Sequence, residues 1–131
     1  MIYSYRDLIV WQKSIEMVIG VYKITDSFPK EELYGLTSQM RRAAISIPSN
    51  IAEGSRRGSR KDYRHFLLIA YGSGSELETQ LEIAKRLDFV SEEEITSAGN
   101  LLDEIMRMLN RLIAQLTPEK TTHYSLPTTH S

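Results

Sequence analysis

The stretch AISIPSNIAEGSRRGSRKDYR, residues 44–64, decides how this chain folds, because it places one proline, two glycines and five basic residues between two helical patterns. Pro48 falls inside the first pattern, where a proline removes one backbone hydrogen bond, and it therefore predicts a kink. Asn50 is available to bond the backbone groups that Pro48 frees. Gly54 is predicted to end the helix in the left-handed conformation, and Ser59 is predicted to cap the next helix.

Apolar residues recur at spacings of three and four on both sides of this stretch, which is the period of an amphipathic α-helix. Four helical segments are predicted in this way, at residues 7–28, 30–53, 60–87 and 91–116. Ser91 and Glu94 are predicted to open the last segment as a capping box. Short connections and the lack of an alternating strand pattern predict an all-α fold, an antiparallel up-down-up-down four-helix bundle. The bundle is predicted to be one domain, residues 1–116, and the polar residues 117–131 are predicted to be a disordered tail.

The first helix, which Asp7 is predicted to begin, carries two apolar series. The first series is Leu8, Trp11, Ile15, Val18 and Tyr22, and the second is Val10, Met17, Val21, Ile24 and Phe28. An offset of two residues rotates an α-helix by about 200°, so the two series lie on nearly opposite faces. Either the helix sits centrally in its own bundle, or one face contacts another subunit. The second alternative is favoured, because a bundle of few helices leaves one face uncovered, and it predicts a homo-oligomer.

A run of small residues, AYGSGS at residues 70–75, lies inside the third predicted helix. A glycine inside a helix costs about 1 kcal/mol relative to alanine, so a compensating role is expected. Small side chains let helix backbones approach closely, and the run is interpreted as a tight helix–helix crossing. A place where a ligand approaches the backbone is the alternative.

The composition excludes several classes of function. The 131 residues carry a formal net charge of −1, which argues against a uniformly basic nucleic-acid binder. The chain has no cysteine, so a disulfide framework and a zinc–thiolate site are excluded. Neither a signal-peptide pattern nor an apolar run of about 20 residues, the length that spans a membrane, occurs in the sequence. A cytoplasmic protein is expected.

The sequence shows no pattern of catalytic residues, and the chain is expected to be neither an enzyme nor a metal or cofactor protein. His65 has no second histidine near it at metal-ligand spacing, and His123 and His130 fall in the predicted tail. Phosphate-binding glycine loops, serine elbows and HExxH sequences are absent. Glu53 is predicted to be a buried carboxylate beside the kink, where it pairs with an arginine or bonds the backbone.

Charge is unevenly distributed along the chain. Residues 41–65 contain seven basic and two acidic residues, whereas residues 76–104 contain nine acidic and two basic residues. Five basic residues surround the turn between the second and third helices and are predicted to form one compact cationic end, with Arg57, Lys61 and Arg64 on one face. This cationic cluster consists of Arg56, Arg57, Arg60, Lys61 and Arg64. It predicts contacts with nucleic-acid phosphates without base-specific recognition; a solvated loop that aids solubility is the alternative.

Arg41 and Arg42 lie about 18 Å from the turn along the second helix, at 1.5 Å per residue. They face the middle of the antiparallel third helix, so a salt bridge to Glu76, to Glu78 or to an acidic residue of a neighbouring subunit is predicted. The predicted structural or intersubunit residues are Arg41, Arg42, Pro48, Asn50 and Glu53.

Several long segments of the chain resemble a known protein family. They are DLIVWQKS at residues 7–14, FPKEELYGLTSQMRRAAISIPSNIAEGSRR at 28–57 and KDYRHFLLIAYGSGSELETQL at 61–81, together with the final amphipathic helix. These segments are similar to the four-helix-bundle proteins encoded in intervening sequences of bacterial 23S ribosomal RNA genes. That family is related to the accessory variability proteins of diversity-generating retroelements.

The resemblance implies a ring-like homo-oligomer, with a pentamer as the family expectation. It also implies a context beside RNA, since the retroelement relatives act with a reverse transcriptase and its RNA. It implies no catalytic residues. The expected function is that of a non-catalytic oligomer that binds structured RNA through the cationic turn. The alternative is an adaptor that binds a protein partner such as a reverse transcriptase.

Overall fold

The computed structural model describes residues 4–118, and α-helices account for most of them. The helices are α1 Ile9–Thr25, α2 Leu36–Ser55, α3 Arg60–Arg86 and α4 Glu92–Leu116, and 3-10 turns at Tyr5–Asp7 and Lys30–Glu32 precede α1 and α2. No strand occurs within the described residues, so the predicted all-α class with four helices is confirmed. The predicted disordered tail lies outside the described residues, apart from Thr117 and Pro118.

The four helices pack as a bundle around one apolar core. Helix α2 contacts α1 and α3, and α4 contacts α3 and α1, so each helix has two neighbours. Large side chains in the core include Met17, Met40, Leu67, Leu77 and Leu109. The up-down-up-down order stays a prediction. Among residues 4–118, no helix combines the length and the apolarity that crossing a membrane requires.

The two apolar series of α1 differ in burial. The second series is buried in the core, namely Val10, Met17, Val21, Ile24 and Phe28. The first series is only partly covered, and Ile19 beside it is 51% exposed. Because α1 contacts only α2 and α4 among the described helices, its outer face has no helix of the same chain against it. Helix α1 is therefore not central in its own bundle.

Two helix starts differ from the predicted ones. Asp7 does not cap α1, because it lies in a 3-10 turn where its carboxylate accepts the backbone N–H of Ser4 at 3.2 Å. Helix α2 begins at Leu36 rather than at residue 30, because Gly35 adopts a φ of −117° and a ψ of −113°, outside the helical region. In both places a 3-10 turn occupies residues that the apolar pattern assigned to the helix.

The end of α2 also differs from the prediction. The helix continues unbroken through the buried Pro48 to Ser55, and a kink at Pro48 stays a prediction. Gly54 does not close the helix, since it is a buried helical residue. The left-handed glycine is Gly58 in the connector, with a φ of 87°. Gly54 is required for space instead, because a Cβ at this position would lie 2.7 Å from Cβ of Phe66 in α3.

Helices α3 and α4 follow the predicted patterns more closely. Ser59 accepts the backbone N–H of Asp62 at 3.1 Å and caps α3. Ser91 caps α4 in the predicted capping box. The small-residue run forms a close crossing at Gly74, where a Cβ would collide with the sulfur of Met106 in α4. The Met106 side chain therefore packs directly against the backbone of α3 at Gly74.

The start of α3 also holds the end of α4. The guanidinium of Arg60 donates to the backbone carbonyl of Gln115 at 2.8 Å, and Arg64 donates to Oγ1 of Thr117 at 3.0 Å. The last carbonyls of a helix have no partner within the helix and form the negative end of its dipole, so cations are favourable there. These contacts make Arg60 and Arg64 part of the structural end of α4.

Replacement of Gly54 by alanine is expected to destabilise the protein by about 1–3 kcal/mol, because the new Cβ must displace Phe66 and the backbone of Tyr63. Gly72→Ala in α3 is the matched control: nothing lies within 4 Å of the position its Cβ would take. The control is expected to gain about 1 kcal/mol from helix propensity. Urea unfolding followed by circular dichroism measures both. Equal effects of the two variants would contradict a spatial role for Gly54.

Replacement of Arg60 by glutamine is expected to lower the free energy of unfolding by about 0.5 kcal/mol, the usual contribution of a cation at an exposed helix C-terminus. The variant loses the hydrogen bond to Gln115. Lys61→Gln is the control, since Lys61 is exposed and makes no ion pair within the described residues. Chemical denaturation compares the two variants. Identical stabilities would show that Arg60 does not hold the end of α4.

Candidate nucleic-acid interface

The predicted cationic cluster lies at one end of the bundle. Arg56 and Arg57 follow the last turn of α2, and Arg60, Lys61 and Arg64 occupy the first turns of α3. Arg64 is partly buried, and the other four side chains are exposed. The helix-to-helix connector is short, so the fold brings together the residues that the sequence singled out.

One side of the cluster faces the beginning of the chain. Nη2 of Arg57 lies 2.9 Å from Oε2 of Glu53, and the Arg57 guanidinium lies 4.8 Å from the centre of the Phe66 ring. The guanidinium of Arg56 lies 5.4 Å from the centre of the Tyr5 ring. An open groove of about 560 Å³ is bordered by Tyr5, Glu53, Arg56 and Arg57. This side of the cluster therefore combines cations with an aromatic ring.

The other side of the cluster faces α4. Arg60 and Arg64 are held there by their hydrogen bonds to the last residues of α4, and Lys61 lies beside them. The three residues border a second groove, of about 580 Å³. The predicted common face for Arg57, Lys61 and Arg64 is wrong, because Arg57 precedes α3 and turns toward Glu53, whereas Arg64 turns toward α4.

Glu53 is exposed rather than buried, and its side chain keeps 51% of its accessible surface. Glu53 lies within α2, which continues to Ser55. Its side chain is on the solvent side of the helix, whereas Ile51 and Gly54 are on the buried side. Its pairing with an arginine is as predicted. An exposed ion pair four residues apart contributes only about 0.3–0.5 kcal/mol, so Arg57 can exchange Glu53 for a phosphate at little cost.

A polar network beside Pro48 links α2 to α3. The side-chain amide of Asn50 donates to the carbonyl of Ser46 at 2.8 Å and to its hydroxyl at 2.9 Å. The hydroxyl of Ser73 in α3 donates to the Ser46 hydroxyl at 2.8 Å. A proline at position 48 frees the carbonyl of Ala44, four residues earlier, so Asn50 does not bond the group that Pro48 frees. Ser73 belongs to the small-residue run at residues 70–75 and is buried at this contact; the run predicted a close crossing of helices but not this hydrogen bond.

Arg41 and Arg42 have different surroundings from those predicted. Nε of Arg41 donates to Oγ1 of Thr25 at 2.9 Å, and its guanidinium lies 4.4 Å from the centre of the Tyr22 ring, a cation–π distance. Arg42 is exposed and borders a polar groove with Glu76. Adjacent residues point about 100° apart on a helix, so the two arginines face different neighbours.

The predicted intrachain salt bridges of these arginines are therefore wrong. Within residues 4–118, neither Arg41 nor Arg42 has a carboxylate within salt-bridge distance. Contacts with acidic residues of another subunit stay a prediction.

An apolar face lies beside the first side of the cluster. A groove of about 310 Å³ is lined by residues that include Trp11, Ile15, Val18, Ile45 and Pro48. Tyr5 joins this groove to the one beside Arg56, and its ring packs edge-on against Trp11 at 5.2 Å. The sequence predicted the α1 part of this face. Ile45 was missed because it lies off the apolar stripe of α2.

The opposite end of the bundle is acidic. Glu92, Glu93 and Glu94 form the first turn of α4, a helix of 25 residues that spans about 37 Å at 1.5 Å per residue. Glu82 of α3 pairs with Arg86 at 2.8 Å, and this hydrogen bond lowers the pKa of the Glu82 carboxyl. The bundle is therefore electrically polarised from one end to the other.

Two further titratable residues border the cationic cluster. His65 is exposed, and its ring packs edge-on against Phe66 at 5.5 Å. Tyr63 lies against Gly54, and burial raises the pKa of its hydroxyl. No group of three or more histidine, aspartate or glutamate side chains within residues 4–118 is placed to hold a metal ion.

Comparison with known proteins places the chain in a family. Residues 6–111 match the family described as 23S rRNA-intervening sequence protein. Among solved structures, the chain is similar to a protein of unknown function from the S23 ribosomal protein family of Bacteroides thetaiotaomicron VPI-5482. The two share 28% sequence identity and a TM-score of 0.75, over 81% of this chain and 96% of that one. No curated protein matches the chain.

The family match begins in the turn before α1 and reaches into α4. It therefore covers the cationic cluster, the Gly54 crossing and the apolar face of α1, and it confirms the resemblance that the sequence segments indicated. The chain belongs to the family of 23S rRNA-intervening sequence proteins.

Proposed function

We propose that this protein is a non-catalytic homo-oligomer that binds structured RNA through the cationic cluster at the α2–α3 connector. The observation that carries the proposal is the concentration of five basic residues between positions 56 and 64 of a chain whose net charge is −1. Phosphates attract such a cluster whatever the base sequence. The family's description, which refers to an intervening sequence of 23S rRNA, supports RNA as the nucleic acid.

The cluster keeps donors available for phosphates. An arginine has five N–H donors, and Arg60 and Arg64 each use one of them on α4. A guanidinium that is already held in place loses less conformational freedom when it binds a phosphate. Arg56 and Lys61 are exposed and have no acidic partner within residues 4–118.

The apolar face of α1 and α2 supports self-association. Ile19 is 51% exposed and Ile45 is 40% exposed. Ile45 lines the groove together with Trp11, and Ile19 follows the groove residue Ile15 by one turn of α1. A contiguous apolar surface of this kind marks an interaction site. In a closed ring the cationic cluster repeats once per subunit, so weak phosphate contacts add up to a higher overall affinity. A pentamer is the copy number that the family resemblance implies.

The same apolar face supports a second candidate function, that of an adaptor for a protein partner such as a reverse transcriptase. The centre of a protein–protein interface uses apolar and aromatic side chains, whereas an RNA backbone presents mainly phosphates. An adaptor of this kind would present Trp11 and its neighbours to the enzyme.

Replacement of both Arg56 and Lys61 by glutamine is expected to weaken RNA binding by removing two phosphate contacts. The slope of log K against log salt is expected to fall by about 1.4 for a single-stranded RNA, at about 0.7 per contact. Fluorescence anisotropy over a salt series measures both quantities.

The double variant Lys23→Gln, Lys30→Gln is the matched control, because it removes the same charge from exposed lysines near the other end of the bundle. It is expected to bind like the unmodified protein. Equal weakening by the two double variants, or binding that does not depend on salt, would contradict the proposed function.

The unmodified protein is expected to form an oligomer that Ile19→Lys dissociates, because a buried charge at the apolar face is unfavourable. Ile83→Lys is the control, since Ile83 is 43% exposed on α3, away from this face. Light scattering after gel filtration gives the copy number. A monomeric unmodified protein would contradict self-association and would favour the adaptor function.

A further inference from the structure

The groove between the start of α3 and the end of α4 has two chemically different parts. Its cationic part consists of Arg60, Lys61 and Arg64, with His65 beside them. Its apolar part consists of Leu68, Leu116 and Pro118. Leu68, in the third turn of α3, is 42% exposed. The groove therefore offers an anion site and an apolar surface side by side.

The cationic part is held in a defined position. Arg60 and Arg64 donate to the carbonyl of Gln115 and to the hydroxyl of Thr117, which belong to the last turn of α4 and to its C-cap. The two guanidinium groups thus span the groove from α3 to α4. Their remaining N–H donors are available for a ligand.

We propose that this groove binds one unpaired nucleotide of the RNA, with its phosphate on Arg60, Lys61 and Arg64 and its base on the apolar part. The proposal rests on the proposed function and deepens it, because it makes the preferred substrate a single-stranded or looped segment. A base within a duplex is stacked and paired, so it cannot reach an apolar surface that lies between two helices.

The spacing of the two parts fits a nucleotide. Leu68 lies four residues after Arg64, one helical turn or about 5.4 Å further along α3. A ribose joins the phosphate and the base of a nucleotide over a comparable distance. The volume of about 580 Å³ lies within the usual range of small-ligand sites, about 300–1,000 Å³.

Continuity with the rest of the cluster also favours a nucleic-acid strand. Arg56 and Arg57 lie on the other side of the same connector, so a strand that leaves the groove meets further cations. This charge complementarity extends over both sides of the connector, whereas an isolated small anion would need only one of them.

The test compares two strands of equal length and charge, a single-stranded oligoribonucleotide and a strand of abasic tetrahydrofuran phosphates. The unmodified full-length protein is expected to bind the strand with bases more tightly. Leu68→Ser is expected to weaken binding of that strand about fivefold, the effect of losing part of one buried leucine side chain. Binding of the abasic strand is expected to stay unchanged, because its phosphates contact only the cations.

Ile83→Ser is the matched control, since Ile83 is 43% exposed on the same helix and lies far from the groove. It is expected to leave both affinities unchanged. Equal affinities for the two strands in the unmodified protein would overturn the nucleotide site, and so would a Leu68→Ser variant that binds the strand with bases normally. Occupation of the groove by residues 119–131 would produce the same equal affinities and would likewise overturn it.

These outcomes separate the inference from the proposed function. If the two strands bind equally well, and if Arg56→Gln and Lys61→Gln reduce the salt dependence of binding, only the nucleotide site is overturned. Failure of both strands to bind would overturn the proposed function and the nucleotide site together.

Discussion

The close approach of α2 to α3 at Gly54 is the constraint on which the arrangement of the cationic end depends. A Cβ at Gly54 would meet Cβ of Phe66 at 2.7 Å and the carbonyl of Tyr63 at 3.2 Å, so the last turn of α2 lies directly against the first turns of α3. This contact leaves only a short connector between the helices, and Gly58 allows the connector to turn with its positive φ. The cations are consequently concentrated instead of being spread along a loop.

The same few residues hold two helices together and contribute to the proposed phosphate site. Arg60 and Arg64 bond the end of α4, where the helix dipole favours a positive charge, and they also contribute to the proposed phosphate site. Arg57, by contrast, does not bond α4: it has an exposed ion pair with Glu53, which contributes little to stability, and lies over the Phe66 ring. The cluster thus contains two fixed guanidinium groups and three side chains that remain free to adapt to a ligand.

The fold separates three kinds of surface on a small bundle. Cations occupy one end, acidic residues the other end, and an apolar face runs along α1 and α2 beside the cations. Self-association through the apolar face would leave both charged ends exposed and would bring several cationic clusters near one another. A polyanion such as the proposed RNA ligand would then meet a repeated site.

Local patterns were sufficient for the features that depend on neighbours a few residues apart. Apolar spacing identified the four helices, short-range hydrogen bonds identified the caps at Ser59 and Ser91, and the small-residue run identified the crossing at Gly74. The cationic cluster was equally visible. The partners of its long side chains were not, because an arginine reaches residues that packing brings close from elsewhere in the chain. Helix packing alone turned Arg64 toward Thr117, 53 residues away, and Arg41 toward Thr25.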